Sequence, residues 1–248
     1  MSFAGPVLCF DTSLRGLSCG LNDTHSGQNY KIVLNTPRGQ AETLIPIISE
    51  LMSYAAVGFD SLQAIIVTKG PGAFTGLRIG LATARALKLT VSCPVFGLNT
   101  MDVVAKQFLL CSEDRIKTAN LSRFLEKIEA RVGVVLETKR QDFYVRFYAQ
   151  SGEPVTKSMA LSYEALEEMI EPSDVMVGDG VSRLRKISSL EPDRLIDGFN
   201  LIDPKAMLQM VDTKHISKNH AEFDLLPVYL RGADVSKSKK THRNLAEK

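Results

Sequence analysis

Residues 67–89 read VTKGPGAFTGLRIGLATARALKL, and few folds can accept such a run. An apolar segment, Ala64–Thr68, reads as a buried strand and ends in Lys69-Gly70-Pro71-Gly72, a turn composition. A helix then begins near Thr75-Gly76, with the Thr75 hydroxyl as the expected N-cap. Within it Gly76, Gly80 and Ala84 recur every four residues, so one face carries almost no side chain. Glycine inside a helix costs about 1 kcal/mol relative to alanine. Two of them on one face predict that something approaches the helix axis closely enough to offset that loss, either another part of the fold or a partner helix. Arg78 and Arg85 lie seven residues apart on one side, with Lys88 a turn later.

Around this run the periodicities alternate between strand and helix. Pro6–Phe10, Leu17–Leu21 and Tyr30–Leu34 read as three strands, the first two flanking the turn Asp11-Thr12-Ser13. In Glu42–Val57, Leu44, Ile47, Ile48, Leu51, Met52 and Ala55 fall at helical spacing, and Pro46 is tolerated in the first turn. Val95–Gly97 reads as a strand and Thr100–Leu110 as a helix. The composition becomes charged over Ser112–Ala130, an expected surface insertion with a helical patch at Leu121–Ile128. Further on, Val132–Glu137, Phe143–Ala149 and Val175–Val177 read as strands. Tyr163–Ile170, Ser182–Ser189 and Pro204–His215 read as helices. The expected organisation is two α/β lobes, an N-terminal one over 1–111 and a C-terminal one over 112–225. A docking segment Leu226–Arg231 and a basic tail over Ser236–Lys248 complete the chain. No repeat is visible at the residue level.

Charge and composition exclude several classes. A net charge of +2 gives no global basic field for nucleic acid. Cys9, Cys19, Cys93 and Cys111 form no CxxC pair, which favours reduced thiols over a disulfide framework or a zinc site. No apolar run is long enough to span a membrane. A cytoplasmic protein is the expectation.

Candidate chemistry is sparse. Gly70–Gly76 lacks the GK[ST] ending of a Walker A loop and reads as a tight strand-to-helix turn rather than a phosphate cradle. Asp11 after a buried strand suits a water-mediated magnesium site or an Asx turn, and the sequence does not choose between them. Gly178-Asp179-Gly180 is a second glycine turn after a strand; facing a nucleotide is its sharper reading and plain chain reversal its commoner one. The candidate nucleotide-cleft residues are therefore Asp11, Thr12, Gly178 and Gly180. His25, His215, His220 and His242 form no HxxxH pair, so no metal site is expected. There is no GxSxG elbow and no cysteine with an evident basic neighbour. No catalytic residue is assigned.

The segments VLCFDTS, LIPIISELM, IIVTKGPGAFTGLRIGLATARAL, VGDG and PVYLR together resemble the bacterial TsaB (YeaZ) family. The likeness is densest over about the first 110 residues and centres on the core Gly70-Pro71-Gly72-Ala73-Phe74-Thr75-Gly76-Leu77-Arg78. It implies the two-lobed fold of the actin, hexokinase and Hsp70 group, each lobe a mixed sheet with helices. It also implies a part in forming N6-threonylcarbamoyladenosine at position 37 of tRNAs that read A-starting codons. In that family the chain is a non-catalytic subunit without a cofactor of its own. It binds and activates a catalytic paralogue, TsaD, is joined by a small P-loop ATPase, TsaE, and meets tRNA only through the complex. Alone, it is expected to form a homodimer. TsaD-like proteins hold a metal with HxxxH where this chain has Gln40 and Leu44, neither of which can complete such a site. Two helices from each partner form the family's interface. On that likeness Leu44, Ile48 and Leu51 are expected to supply apolar area, and Gly76, Gly80 and Ala84 close approach. Two departures stand out, the charged 112–130 insertion and Glu137-Thr138-Lys139-Arg140 where relatives often read Asp-Ala-Arg. The other readings are an ATP-dependent small-molecule kinase or ATPase of the same fold, with Asp11 on magnesium, and, more weakly, a metallopeptidase.

Overall fold

The computed structural model describes residues 5–23, 27–36, 38–114, 130–211 and 225–231. The expected helical patch Leu121–Ile128, all four histidines and the basic tail lie outside them.

Two five-stranded sheets carry the structure. In the first, β1 (Val7–Asp11), β2 (Leu17–Asp23) and β3 (Gln28–Leu34) form an antiparallel meander. Helix α1 (Gln40–Tyr54) crosses to β4 (Ala64–Gly70), parallel to β1, and α2 (Phe74–Thr90) crosses to β5 (Val95–Asn99), parallel to β4. The sheet order is β3-β2-β1-β4-β5. Helix α3 (Thr100–Asp114) follows. The second sheet repeats this plan. It comprises β6 (Val132–Glu137), β7 (Asp142–Tyr148), β8 (Met159–Ser162), β9 (Val175–Val177) and β10 (Leu195–Ile196). Its order is β8-β7-β6-β9-β10, antiparallel across β6–β8 and parallel across β6, β9 and β10. Three short helices accompany it, α4 (Tyr163–Glu167), α5 (Val181–Ile187) and α6 (Pro204–Met210). One βββαβαβα unit is therefore used twice, although the residues show no repeat.

Strand alternation explains how the layers stack. In β1, Val7 and Cys9 face one core while Leu8 and Phe10 face another; in β4, Ala64 and Ile66 are set against Ile65 and Val67 in the same way. Strands covered on both faces read as unbroken apolar runs, and these do. The outer face of the first sheet is covered by α1 and α2. Between the sheets lie α3 and α6, with Met101, Val104, Phe108 and Met207 fully buried. The outer face of the second sheet is covered by α4 and α5 through Leu166, Val181 and Leu184.

Several boundaries differ from the sequence reading. The break expected at residue 111 falls inside α3, which packs on both sheets. Helix α6, expected in the C-terminal unit, packs on β1 and β2 of the first sheet. Strands β8 and β10 were not anticipated. Both are short edge strands whose sequences, MALS and LI, carry too little pattern to register. Helix α2 begins at Phe74 with Ala73 as its N-cap and no side-chain cap, so Thr75 sits inside the first turn and does not cap it. Among the described residues no helix is long and apolar enough to cross a membrane, and Cys9, Cys19, Cys93 and Cys111 are free thiols.

Candidate functional site

A very close backbone approach lies between the turn after β1 and the first turns of α2. A Cβ on Gly76 would stand 1.8 Å from the Thr12 carbonyl oxygen, and one on Gly80 2.6 Å from Thr12 Oγ1. The Thr12 hydroxyl donates to the Gly76 carbonyl at 2.7 Å, and the Ala73 N–H donates to the Ser13 carbonyl at 2.7 Å. Ala84 is fully buried in the same core as Leu44, Ile48 and Leu51. This corrects the expectation for the interface residues. Leu44, Ile48, Leu51, Gly76, Gly80 and Ala84 all face their own lobe, and the bare ridge seats the Asp11–Ser13 turn rather than a sister helix. The four-residue period does mark one helix face, but the object lying against it is a loop far away in sequence.

The nucleotide-cleft residues are likewise committed inward. Asp11 is 2% exposed. Its Oδ1 accepts from the Ser13 N–H at 3.0 Å and from the hydroxyls of Ser13 and Thr68 at 2.5 Å each. This is the Asx-turn alternative, extended across the sheet to Thr68. Burial raises the Asp11 pKa despite the hydrogen bonds that hold it down. Thr12 is spent on Gly76. Gly178 has φ of 117°, and a Cβ there would stand 2.3 Å from the Val135 carbonyl. The same carbonyl accepts the Gly180 N–H at 3.0 Å. Both glycines turn the chain tightly against β6, so chain reversal is their role. Among the described residues no three His, Cys, Asp or Glu side chains converge to hold a metal.

Above this floor lies a cleft of about 1100 Å³. Its walls are the β1–β2 turn (Ser13–Arg15), the starts of α1 and α2, the β6–β7 hairpin, Asp179 and the segment ending at Arg231. The neighbours of the expected residues line it: Ser13 rather than Asp11 and Thr12, and Asp179 rather than the flanking glycines. Asp179 is signalled in the sequence only as the middle of the Gly178-Asp179-Gly180 turn. Arg15, Arg38, Phe74 and Tyr229 lie at a turn, a bend, a helix start and an irregular segment, positions that do not separate a cleft wall from an ordinary surface.

Two local frameworks hold the walls. Arg183 of α5 lies 3.8 Å over the Phe143 ring, pairs with Glu137 at 3.1 Å and donates to the carbonyls of Arg140 and Asp142. It thereby fixes the hairpin in which Lys139 has φ of 59°. On the other side Val228 N–H donates to the Lys69 carbonyl at 2.7 Å, Arg85 to the Leu225 carbonyl at 2.7 Å, and Arg231 pairs with Asp142. Residues 225–231 thus lie against the end of β4. They bring Tyr229 against Phe74, with centroids 5.6 Å apart, while the Arg78 guanidinium lies 3.7 Å over the Phe74 ring.

Asp179 is the cleft's unusual acid. Burial pushes its pKa up to about 6, opposed by the Glu137 N–H at 2.8 Å and by Arg15, and reinforced by the charges of Glu137 and Asp11. A carboxyl whose folded pKa lies above its unfolded value stabilises the fold below the unfolded value. It loses that contribution as pH rises through the folded one. Wild-type stability is therefore expected to fall from pH 4 to pH 7 relative to Asp179→Asn. At neutral pH the variant is expected to be the more stable by an amount on the order of 2 kcal/mol. Urea midpoints at the two pH values check this, and equal differences at both would refute it.

Two units of the same βββαβαβα order, packed across shared helices with a cleft walled by their first hairpins, define a two-lobed α/β protein of the actin, hexokinase and Hsp70 group. Known proteins narrow this. A family model described as "TsaD: tRNA N6-adenosine threonylcarbamoyltransferase" matches residues 35–117. The "tRNA threonylcarbamoyladenosine biosynthesis protein TsaB" of Haemophilus influenzae is 24% identical over 91% of this chain and 93% of its own. The protein of the same name from Escherichia coli is 25% identical over 91% and 94%. The solved structure of YeaZ from Pseudomonas aeruginosa superposes with a TM-score of 0.70 at 23% identity, covering 91% of this chain and all of that one. These likenesses, over nine-tenths of the chain, support the TsaB (YeaZ) family.

Proposed function

We propose that this chain is a non-catalytic subunit in the formation of N6-threonylcarbamoyladenosine on tRNA, and that it binds and activates a TsaD-like catalytic subunit. The observation that carries this reading is the fate of the two positions where TsaD-like proteins place a metal-binding histidine pair. Gln40 is buried and donates from Nε2 to the Gly16 carbonyl at 2.5 Å, and Leu44 is sealed in the core. Both are structural, and neither offers a ligand. The names of the relatives, and a TsaD family model that spans α1 and α2, support the pathway and the helices concerned.

The docking face in this reading is the outward side of α1 and α2, opposite the ridge. Ala41, Ile45 and Ser49 on α1 and Ala82, Ala86 and Leu89 on α2 are exposed. Ile45 and Leu89 are 46% and 89% exposed, a large apolar commitment to solvent for a chain on its own. The same face serves a homodimer when the partner is absent, and a TsaE-like P-loop ATPase joins the assembled pair. The kinase or ATPase alternative loses its proposed magnesium residue, since Asp11 is occupied within its own turn.

Light scattering of the chain mixed with the TsaD-like protein of the same genome tests this. A one-to-one complex is expected, and Ile45→Glu with Ala82→Glu is expected to weaken it at least tenfold while leaving the urea midpoint unchanged. No complex, or a complex indifferent to the double substitution, refutes the reading.

A further inference from the structure

We propose that the interlobe cleft is a binding site for unpaired RNA, reading phosphates with its rim arginines and stacking a base on the Phe74–Arg78–Tyr229 platform. The inference builds on the tRNA reading above but adds a direct contact, where the family likeness implies tRNA contact only through the complex.

The charge around the cleft is lopsided even though the whole chain is nearly neutral. Six cations line it (Arg15, Arg38, Arg78, Lys139, Arg140 and Arg231) against three acids, Glu42, Glu137 and Asp179. Pairing removes one charge of each sign, Glu137 to Arg183 and Arg231 to Asp142, and leaves the cations in excess. Arg15 and Arg38 are exposed, and among the described residues neither has a carboxylate within ion-pair distance. The first turn of the 17-residue helix α2 also lines the cleft, with no acidic residue in that turn and no side-chain cap. It adds partial positive charge to the same wall.

Aromatic surface stands beside that charge. Phe74 is 52% and Tyr229 46% exposed, their rings in contact, with the Arg78 guanidinium stacked on Phe74. Exposed aromatic and guanidinium planes next to spaced cations are what a single-stranded nucleic acid uses, bases stacking and phosphates pairing.

A free nucleoside triphosphate fits less well. The floor carboxylate Asp11 is consumed by its own turn, no three metal-binding side chains converge among the described residues, and the glycine turns press against their own backbone. Among the described residues no cradle for a metal-bound triphosphate is formed. The cations are instead spread along the rim, and about 1100 Å³ is more room than one nucleotide fills.

Fluorescence anisotropy of a labelled RNA stem-loop with an unpaired loop, titrated with the full chain, tests this. Binding is expected to weaken steeply between about 50 and 200 mM salt. Arg15→Ala with Arg38→Ala should weaken it about tenfold and lower the salt slope by about 1 to 2. Phe74→Ala should weaken it about tenfold with the slope unchanged, and Arg38→Lys should retain most of the affinity. All these side chains are exposed, and unchanged melting curves verify that the variants fold. Displacement of the RNA by millimolar ATP would identify a free nucleotide as the occupant and overturn the proposal. So would equal competition by a fully paired duplex, no binding, or indifference to the substitutions. None of these variants touches the outward face of α1 and α2. A full chain that forms the TsaD-like complex but binds no RNA therefore overturns this site alone, and one that binds RNA but forms no complex overturns only the subunit reading.

Discussion

Gly76→Ala is expected to destabilise the folded chain by about 2–3 kcal/mol, seen as a lower urea midpoint with an unchanged m-value. Two effects compete at this position. Alanine improves helix propensity by about 1 kcal/mol over glycine. Against that, the new methyl would overlap a backbone carbonyl, 1.8 Å away, in a turn that cannot yield independently. Thr12 is pinned to Gly76 itself, and the adjoining Ser13 is held by Ala73, by Asp11 and by Thr100 at 3.2 Å. The steric cost therefore exceeds the propensity gain. Gly80→Ala meets the rotatable Thr12 hydroxyl instead and is expected to cost less. A Gly76→Ala chain with unchanged stability but lost association would mean that the ridge faces another chain after all.

The second large effect is expected at Asp174. Its carboxylate is fully buried and accepts from Arg131 Nε and Nη2 at 3.0 and 2.6 Å and from the Glu171 N–H at 2.8 Å. Arg131 is also stacked 4.6 Å over Phe147 and paired with Glu171 at 2.9 Å. Asp174→Ala takes the bidentate partner from a half-buried Arg131, which keeps only Glu171, and leaves the Glu171 N–H without its acceptor, so it should cost about 3 kcal/mol. The Lys31–Asp203 pair offers a contrast. It has a comparable distance, 2.9 Å, but side chains 55% and 33% exposed. Lys31→Ala should cost at most about 1 kcal/mol. Equal losses at the two sites in urea titrations would contradict this ranking.

Strand and helix identities were legible where the period was long and the burial two-sided. β1, β4 and β6 are nearly continuous apolar runs, and α1 shows its stripe plainly. What the sequence withheld was the direction in which a feature faces. Gly76, Gly80 and Ala84 announce that something comes close, but a glycine face is the same signal whether a helix or a loop lies against it. The loop is 64 residues away in the chain. Asp11 was poised between a metal site and an Asx turn because the deciding partner, Thr68, sits on a parallel strand that only the fold brings alongside. The cleft walls were hidden for the same reason: Arg15, Arg38 and Asp179 come from three separate turns and bends, Tyr229 from the 225–231 segment, and they share no spacing. The duplicated sheet order was invisible because topology repeats here without residue identity.

The helices between the two sheets also set how the molecule moves as a machine. A jaw-like protein needs a thin seam about which its halves can swing. Here one apolar mass runs from Val7 and Ile66 through Met101, Val104 and Phe108 to Val132 and Val134. Asp102 rivets its helix to the far sheet through Arg146 at 2.7 Å and Tyr148 at 2.6 Å. A joint this broad and apolar opposes swinging of the halves. The mouth between them is accordingly expected to keep its shape on binding, so that whatever enters adapts to it.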